Sequence, residues 1–244
     1  MKRIIFLTAT IALLASCSNR AKTKIDETPE VLQTTPFDKG IPVTIHFDKG
    51  DEYYHPLIVF WIEDTEGNYV QTLYAAKSIA TGTFRYGVAN GKKWSKGERR
   101  RPAALPYWGH KRGFKTPDGL YIPTPQNPLP DAITGATPTN NFVINSLINP
   151  ELKQFNVYME INQTWDWNQH WHNNLYPNDD EYKTSCQPAL VYMAEVDLTS
   201  SQKNYTLKPV GHSHPSGKTG ELFSDLSTFT TALKIAREVR FNIE

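Results

Sequence analysis

Residues 131 to 137 read DAITGAT and lie within YIPTPQNPLPDAITGATPTN, where five prolines surround them. Proline fixes φ and donates no backbone hydrogen bond, so neither a helix nor a central strand forms easily there. In this stiff frame two hydroxyls, Thr134 and Thr137, sit on a backbone thinned by Gly135 and Ala136. A threonine hydroxyl is a poor nucleophile unaided and needs a base and a metal to attack a phosphate. The chain shows no Ser/His/Asp elbow, paired-carboxylate signature or phosphate-cradling glycine loop that would supply such help. Small neighbours leave such a hydroxyl unhindered. Asp131 could cap the local turn or contact another protein. The competing reading is an Asx-type turn of small residues that is never modified.

The full spelling, D-x-x-[S/T]-G-A-[T/S], arises by chance in a chain of this length on the order of once in a thousand, from average residue frequencies. It resembles the target of the periplasmic flavin transferase in the FMN-bearing subunits of the sodium-pumping quinone reductase and of the Rnf-type electron-transport complex. By that resemblance Asp131 matches the leading acid, Thr134 the first hydroxyl position, Gly135 and Ala136 the small pair, and Thr137 the residue that carries FMN through a phosphoester. The base and the metal would come from the transferase. The surroundings depart from that pattern: further Ser/Thr and a helix usually follow the motif, whereas here PTNNFVI leads into a strand.

A second resemblance spans roughly residues 55 to 168. FWIEDTEGNYVQTL (60 to 73), DAITGAT and VYMEINQTWDWN (157 to 168), in that order, are similar to the bacterial periplasmic domain-of-unknown-function family 2271. It implies an extracytoplasmic flavinylation substrate on a fold of its own, and no established activity. Trp94, Tyr107, Trp108, Trp165, Trp167 and Trp171 are then candidates to stack on an isoalloxazine ring, with core packing as the alternative. Lys92, Lys93, Lys96, Arg99, Arg100 and Arg101 could meet the FMN phosphate or an acidic redox partner, or simply form a solvated loop.

The N-terminus, MKRIIFLTATIALLASC, has a basic start, an apolar run and small residues before a cysteine. It is a secretory signal over residues 1 to 16, and its ending resembles a bacterial lipobox, which implies that Cys17 carries the lipid. Two or three acyl chains anchor stably, at roughly 0.8 kcal/mol per buried CH₂. Ser18, where an Asp would signal retention, favours the outer membrane by the same resemblance, facing either the periplasm or the exterior. Removing the signal takes away Lys2 and Arg3 and leaves 24 basic against 25 acidic side chains, so charge points neither to nucleic acid nor to a membrane surface. Cys186 is then the one remaining thiol and reads as a small buried hydrophobe. His170/His172 and His212/His214 are i, i+2 pairs that would share a face if they lay on strands, a weak metal signal with no cysteine beside it.

These groups need a scaffold. Residues 17 to 39 are polar and aperiodic, the composition of a flexible tether. The domain then runs from 40 to 244. IPVTIHF (41 to 47) alternates like a half-buried strand, while LIVFWIED (57 to 64) and YVQTLYA (69 to 75) form a hairpin around TEGN. Further strands are expected at 140–148, 154–164, 188–198, 205–212 and 238–243, with a short helix opening SDLSTFTTALKIAR (224 to 237). Residues 77 to 140 read as one long irregular loop. About eight strands without βαβ alternation predict an all-β, antiparallel, immunoglobulin-like β-sandwich. The functional expectation is a lipid-anchored extracytoplasmic flavoprotein, a redox carrier more than a catalyst, with a flavin transferase and an envelope redox chain as partners. The alternative is a cofactor-free binding lipoprotein; a third reading has the histidines converge on a metal.

Overall fold

The computed structural model describes residues 28–36 and 38–244, which form an all-β sandwich. Cys17, the signal and most of the expected tether lie outside the described residues. Thirteen strands and three short helices are present among those described: β1 (Glu30–Gln33), β2 (Ile41–Lys49), β3 (Leu57–Glu63), β4 (Tyr69–Ala76), α1 (Lys77–Thr81), β5 (Thr83–Asn90), β6 (Lys93–Glu98), α2 (Pro106–Arg112), β7 (Thr134–Gly135), β8 (Phe142–Ile148), β9 (Gln154–Asn162), α3 (Asp180–Ser185), β10 (Leu190–Asp197), β11 (Asn204–Thr206), β12 (Lys208–His212) and β13 (Ala236–Ile243). One sheet has the order β1-β8-β2-β13-β11, the other β12-β10-β9-β3-β4-β7, and β5 with β6 makes a separate hairpin.

The patterning of each strand follows from what covers it. β2 alternates because only one face is buried: Val43, Ile45 and Phe47 enter the core between the sheets, where Phe47 stacks on Phe142 of β8. β3 is buried throughout, and apolar except at Glu63, because it is covered twice. Ile58, Phe60 and Ile62 join that inner core, while Leu57, Val59 and Trp61 point to the outer face, under α1, α2 and residues 129–133. The sandwich therefore carries a second apolar layer on one side.

Sequence expectations need correction in five places. The pairing is antiparallel except at two sheet edges, where β1 joins β8 and β7 joins β4 in parallel. Glu30–Gln33, inside the expected tether, is strand β1, and Thr34 behind it is buried, so the fold starts before residue 40. Residues 77 to 140 are built of α1, a hairpin, α2 and β7 rather than one loop. The segment 205–212 divides at buried Leu207, giving β11 to one sheet and β12 to the other, with Pro209 tolerated on an edge strand. The helix expected in 224–237 is absent apart from a 3₁₀ turn at Ala232–Lys234. Asp225 instead accepts from Ser227 N in a local turn, and Phe229, Ala232 and Ile235 pack into the core as the chain approaches β13.

α2 shows how the outer layer is fixed. Leu105 at its N-cap offers no side-chain acceptor, and Glu160 of β9 takes that role, accepting from Tyr107 N at 3.2 Å and Trp108 N at 2.8 Å. Trp108 Nε1 donates to Thr72 Oγ1 at 3.0 Å, and Lys111 pairs with buried Glu63 at 3.1 Å. Burial raises the Glu160 carboxyl to about 8, against the pull of the two backbone donors.

Candidate functional site

DAITGAT occupies the edge of the six-stranded sheet. Asp131–Ile133 form a 3₁₀ turn whose Ile133 is buried in the outer apolar cluster. Thr134 and Gly135 then pair with Ala75 and Ala76 as β7. Beyond them Ala136 is exposed, Thr137 half-buried and Pro138 buried. The motif is thus a short add-on strand, anchored by one apolar side chain at its start and by a proline at its end.

Two tyrosines hold its backbone. Tyr74 of β4 donates to the carbonyls of Ala136 at 2.9 Å and Gly135 at 3.3 Å, and Tyr53 donates to that of Pro138 at 2.7 Å. They take the carbonyls on either side of Thr137 and leave its hydroxyl alone: Thr137 Oγ1 makes no hydrogen bond among the described residues. Burial raises the pKa of both tyrosines, aided by the Glu30 carboxylate, so both remain protonated donors at neutral pH. Gly135 has a local reason to be glycine, because a Cβ there would lie 3.0 Å from Tyr74 Cε2. Its small size therefore serves packing as well as access.

The segment expected to be a tether forms one flank. Thr35 N donates to Ala132 O at 2.9 Å, and Glu30 Oε1 accepts from Thr139 N at 2.6 Å and Asn140 N at 3.0 Å. Burial opposes ionisation of Glu30, but these hydrogen bonds prevail and hold its carboxyl below its ordinary value. Asp131 caps nothing. Its partner is Lys77 Nζ at 3.6 Å, an exposed pair of little energetic weight, which leaves the carboxylate open to a visiting protein. Thr134 Oγ1 reaches only the Asp131 carbonyl, at 3.4 Å. Lys49 Nζ lies 3.4 Å from Thr139 O, so one lysine stands near each end of the motif.

The other candidates disperse. Tyr107 and Trp108 are buried in α2, in the cluster that also covers Ile133. Trp94 is exposed on β6, Trp165 and Trp167 are exposed and edge-to-face with each other, and Trp171 packs on Phe229 and His212. None of the six is hydrogen-bonded or ring-packed to residues 134–138. The basic run divides as well. Lys92, Lys93, Lys96 and Arg99 are exposed, but Arg100 binds Asp118 at 2.7 Å together with the carbonyls of Ile122 and Pro123, and Arg101 donates to Thr164 at 2.8 Å and to Thr184 O. Arg100 and Arg101 are structural.

Neither histidine pair shares a strand face, since His170 and His172 lie in a loop and His214 follows the end of β12. His212 is buried against Phe223, with Nδ1 2.8 Å from Ser213 O, while His214 accepts from Ser216 N. Among the described residues no three His, Cys, Asp or Glu side chains gather as metal ligands. Cys186 is buried, and burial pushes its thiol up to about 11, which removes it as a nucleophile near neutral pH.

Tyr53, Tyr74, Glu30 and Thr35 were invisible to motif reading because each reaches the site from a distant part of the chain. Comparison with known protein families, curated proteins and solved structures finds no match. The resemblances drawn from the motif rest on its residues alone.

Proposed function

We propose that Thr137 is the attachment point of a covalently bound FMN and that the protein is an extracytoplasmic electron carrier, lipid-anchored through Cys17. The observation that carries the reading is the treatment of one residue: the fold ties down the carbonyls around Thr137 and leaves its half-buried hydroxyl without a partner beside the sheet edge. A structural threonine in a tight turn would normally spend that hydroxyl on a nearby backbone group.

The residues fit the group. A phosphodiester at Thr137 carries one negative charge, and Lys49, whose Nζ lies 3.4 Å from the carbonyl of Thr139 two residues on, is a cation that could offset it. In the attachment step the Thr137 oxygen bonds to the FMN phosphorus of FAD, the bond from that phosphorus to AMP breaks, and the hydroxyl proton passes to a base on the transferase. This chain supplies the hydroxyl and a shape that admits it, so it needs no catalytic groups of its own. The flavin supplies the redox chemistry once bound. No ring among the expected tryptophans lies at the motif, which suits a flavin that hands electrons to a partner at the surface. Cys17 is thirteen residues before Glu30, so the motif's flank is held within about 45 Å of a lipid anchor even at full extension.

Intact mass after co-expression with a periplasmic flavin transferase tests this. An FMN-sized increase that Thr137→Ala abolishes is the expected result. An unchanged mass in both proteins would end the proposal and favour a cofactor-free binding lipoprotein.

A further inference from the structure

A second feature has no part in that reading. A half-open cavity of about 590 Å³ lies between α2, residues 115–122, Glu181 of α3 and the turn at 216–219 that follows β12. The turn at 216–219 follows β12, the sheet edge opposite β7, and no residue of the motif lines the cavity. Its size falls within the roughly 300–1,000 Å³ typical of small-molecule sites.

The walls are fixed by sequence. A Cβ on Gly217, whose φ is +68°, would lie 2.0 Å from Pro102 O, and one on Gly220 would lie 2.5 Å from His110 Cβ. The turn can approach α2 this closely only because both residues are glycine. Arg100 braces the opposite wall through Asp118, Thr116 and two carbonyls. A cavity held open by such contacts is preformed, which lowers the entropy lost when a ligand binds.

Three nitrogen groups are left available in it. His110 Nδ1 donates to Pro106 O at 2.8 Å, which leaves Nε2, an acceptor in the neutral ring, without a partner among the described residues. Lys115 lies over the Tyr121 ring and has no ion-pair partner among the described residues. Lys218 touches Asp179 at 3.3 Å but remains 70% exposed, and Asp179 is already occupied by Ser216 Oγ and the N-terminus of α3. The acidic group in the lining is Glu181, which Arg99 and Arg101 face from outside. Lys115 and Lys218 are the cations of the lining, and His110 Nε2 is an acceptor beside them.

We infer that this cavity binds a small organic anion, a carboxylate or a phosphate ester, through Lys115 and Lys218, with His110 Nε2 accepting from a hydroxyl of the ligand. The site is independent of modification at Thr137. Calorimetric titration of the full-length protein with citrate and, separately, with inorganic phosphate at constant ionic strength is the test, with sodium chloride as the control. Saturable binding of either probe is expected, weakened at least fivefold in Lys115→Ala and in Lys218→Ala and unchanged in Thr137→Ala. Citrate alone would identify carboxylates, phosphate alone phosphate esters, and both an anion hole that reads charge only. Both lysines are exposed, so these variants should keep the wild-type melting temperature. No saturable binding of either probe, or equal binding by the Lys115→Ala/Lys218→Ala double variant, overturns the inference.

Discussion

The two edges of the six-stranded sheet are built to opposite specifications. At the β7 edge the chain is held by two tyrosine hydroxyls, one carboxylate and a two-residue parallel pairing, and the Thr137 hydroxyl has no partner among the described residues. Near the β12 edge a turn is pressed against α2 through glycines, and ionisable groups surround a hollow. A site that another protein must enter needs exposure and tolerance of movement, because its own chemistry is supplied from outside. A site that binds by itself needs a fixed concave shape, because its groups must already be in place when the ligand arrives. The same outer layer serves both, with α2 and Ile133 sharing one apolar cluster.

Damage should therefore be costly beside the cavity and cheap at the β7 edge. The largest effect is expected from Glu160→Ala, which leaves the Tyr107 and Trp108 amides unpaired in the interior. Two orphaned buried donors imply a loss of about 3 kcal/mol at pH 6, read from the urea midpoint, and loosening of α2. The two sides should also respond oppositely to pH. Glu160 is raised in the fold, to about 8 from 4.5, so its contribution is complete below about pH 4.5 and is lost as pH rises towards 8. Glu30 is depressed, so its contribution is present above about pH 4.5 and is lost on acidification. Glu160→Gln should flatten the alkaline limb of a stability–pH curve and leave the acid limb unchanged. Next in size is Gly217→Ala, where a left-handed φ and a contact with Pro102 O act together; about 2 kcal/mol should be lost, without effect on hydrogen exchange at β7.

How much of this the amino acids announced depends on where the deciding contacts come from. The run at 57–63 is apolar at every position but one, which gave a strand, and the two-sided burial behind it became clear only with the layer that covers Trp61. The alternation at 41–47 was legible because the outer face of β2 meets less cover. β1 was not legible: four residues with two polar ones carry no signal, and what makes them a strand is pairing with β8 more than a hundred positions away. The split at Leu207 and the lost helix before β13 share a cause, since each is decided by which core the side chains can reach. For the candidate site, the motif singles out Thr137, whereas the residues that hold the backbone around it, Tyr53, Tyr74 and Glu30, arrive through tertiary contacts that no local pattern encodes.

Tyr74→Phe should sharpen the comparison at the β7 edge. It removes a donor to the Gly135 and Ala136 carbonyls while keeping the ring against Gly135, for a loss of about 1 kcal/mol. Amide exchange should quicken at Thr134 to Thr137 and stay unchanged around α2. If β7 must leave the sheet to enter a transferase, this variant should also be modified faster than wild type when the two are mixed with limiting enzyme. Slower modification would mean that the bound shape of the edge is what the transferase reads.

The smallest effect belongs to Thr137→Ala. Its hydroxyl has no partner, its side chain is half-buried and the carbonyls on either side keep their tyrosine donors, so unfolding free energy should change by less than about 0.5 kcal/mol. Thr137→Ser should be equally stable and keep an acceptor oxygen at the same place, whereas Thr137→Val keeps the shape and loses the oxygen. A structural role for this residue would make Val the mildest of the three and Ala the most harmful. An acceptor role makes all three alike in stability and separates them only by modification, with Ser retaining it and Ala and Val losing it. Urea unfolding alongside intact mass for the three variants distinguishes the two, because the first measurement sees the fold and the second sees one hydroxyl.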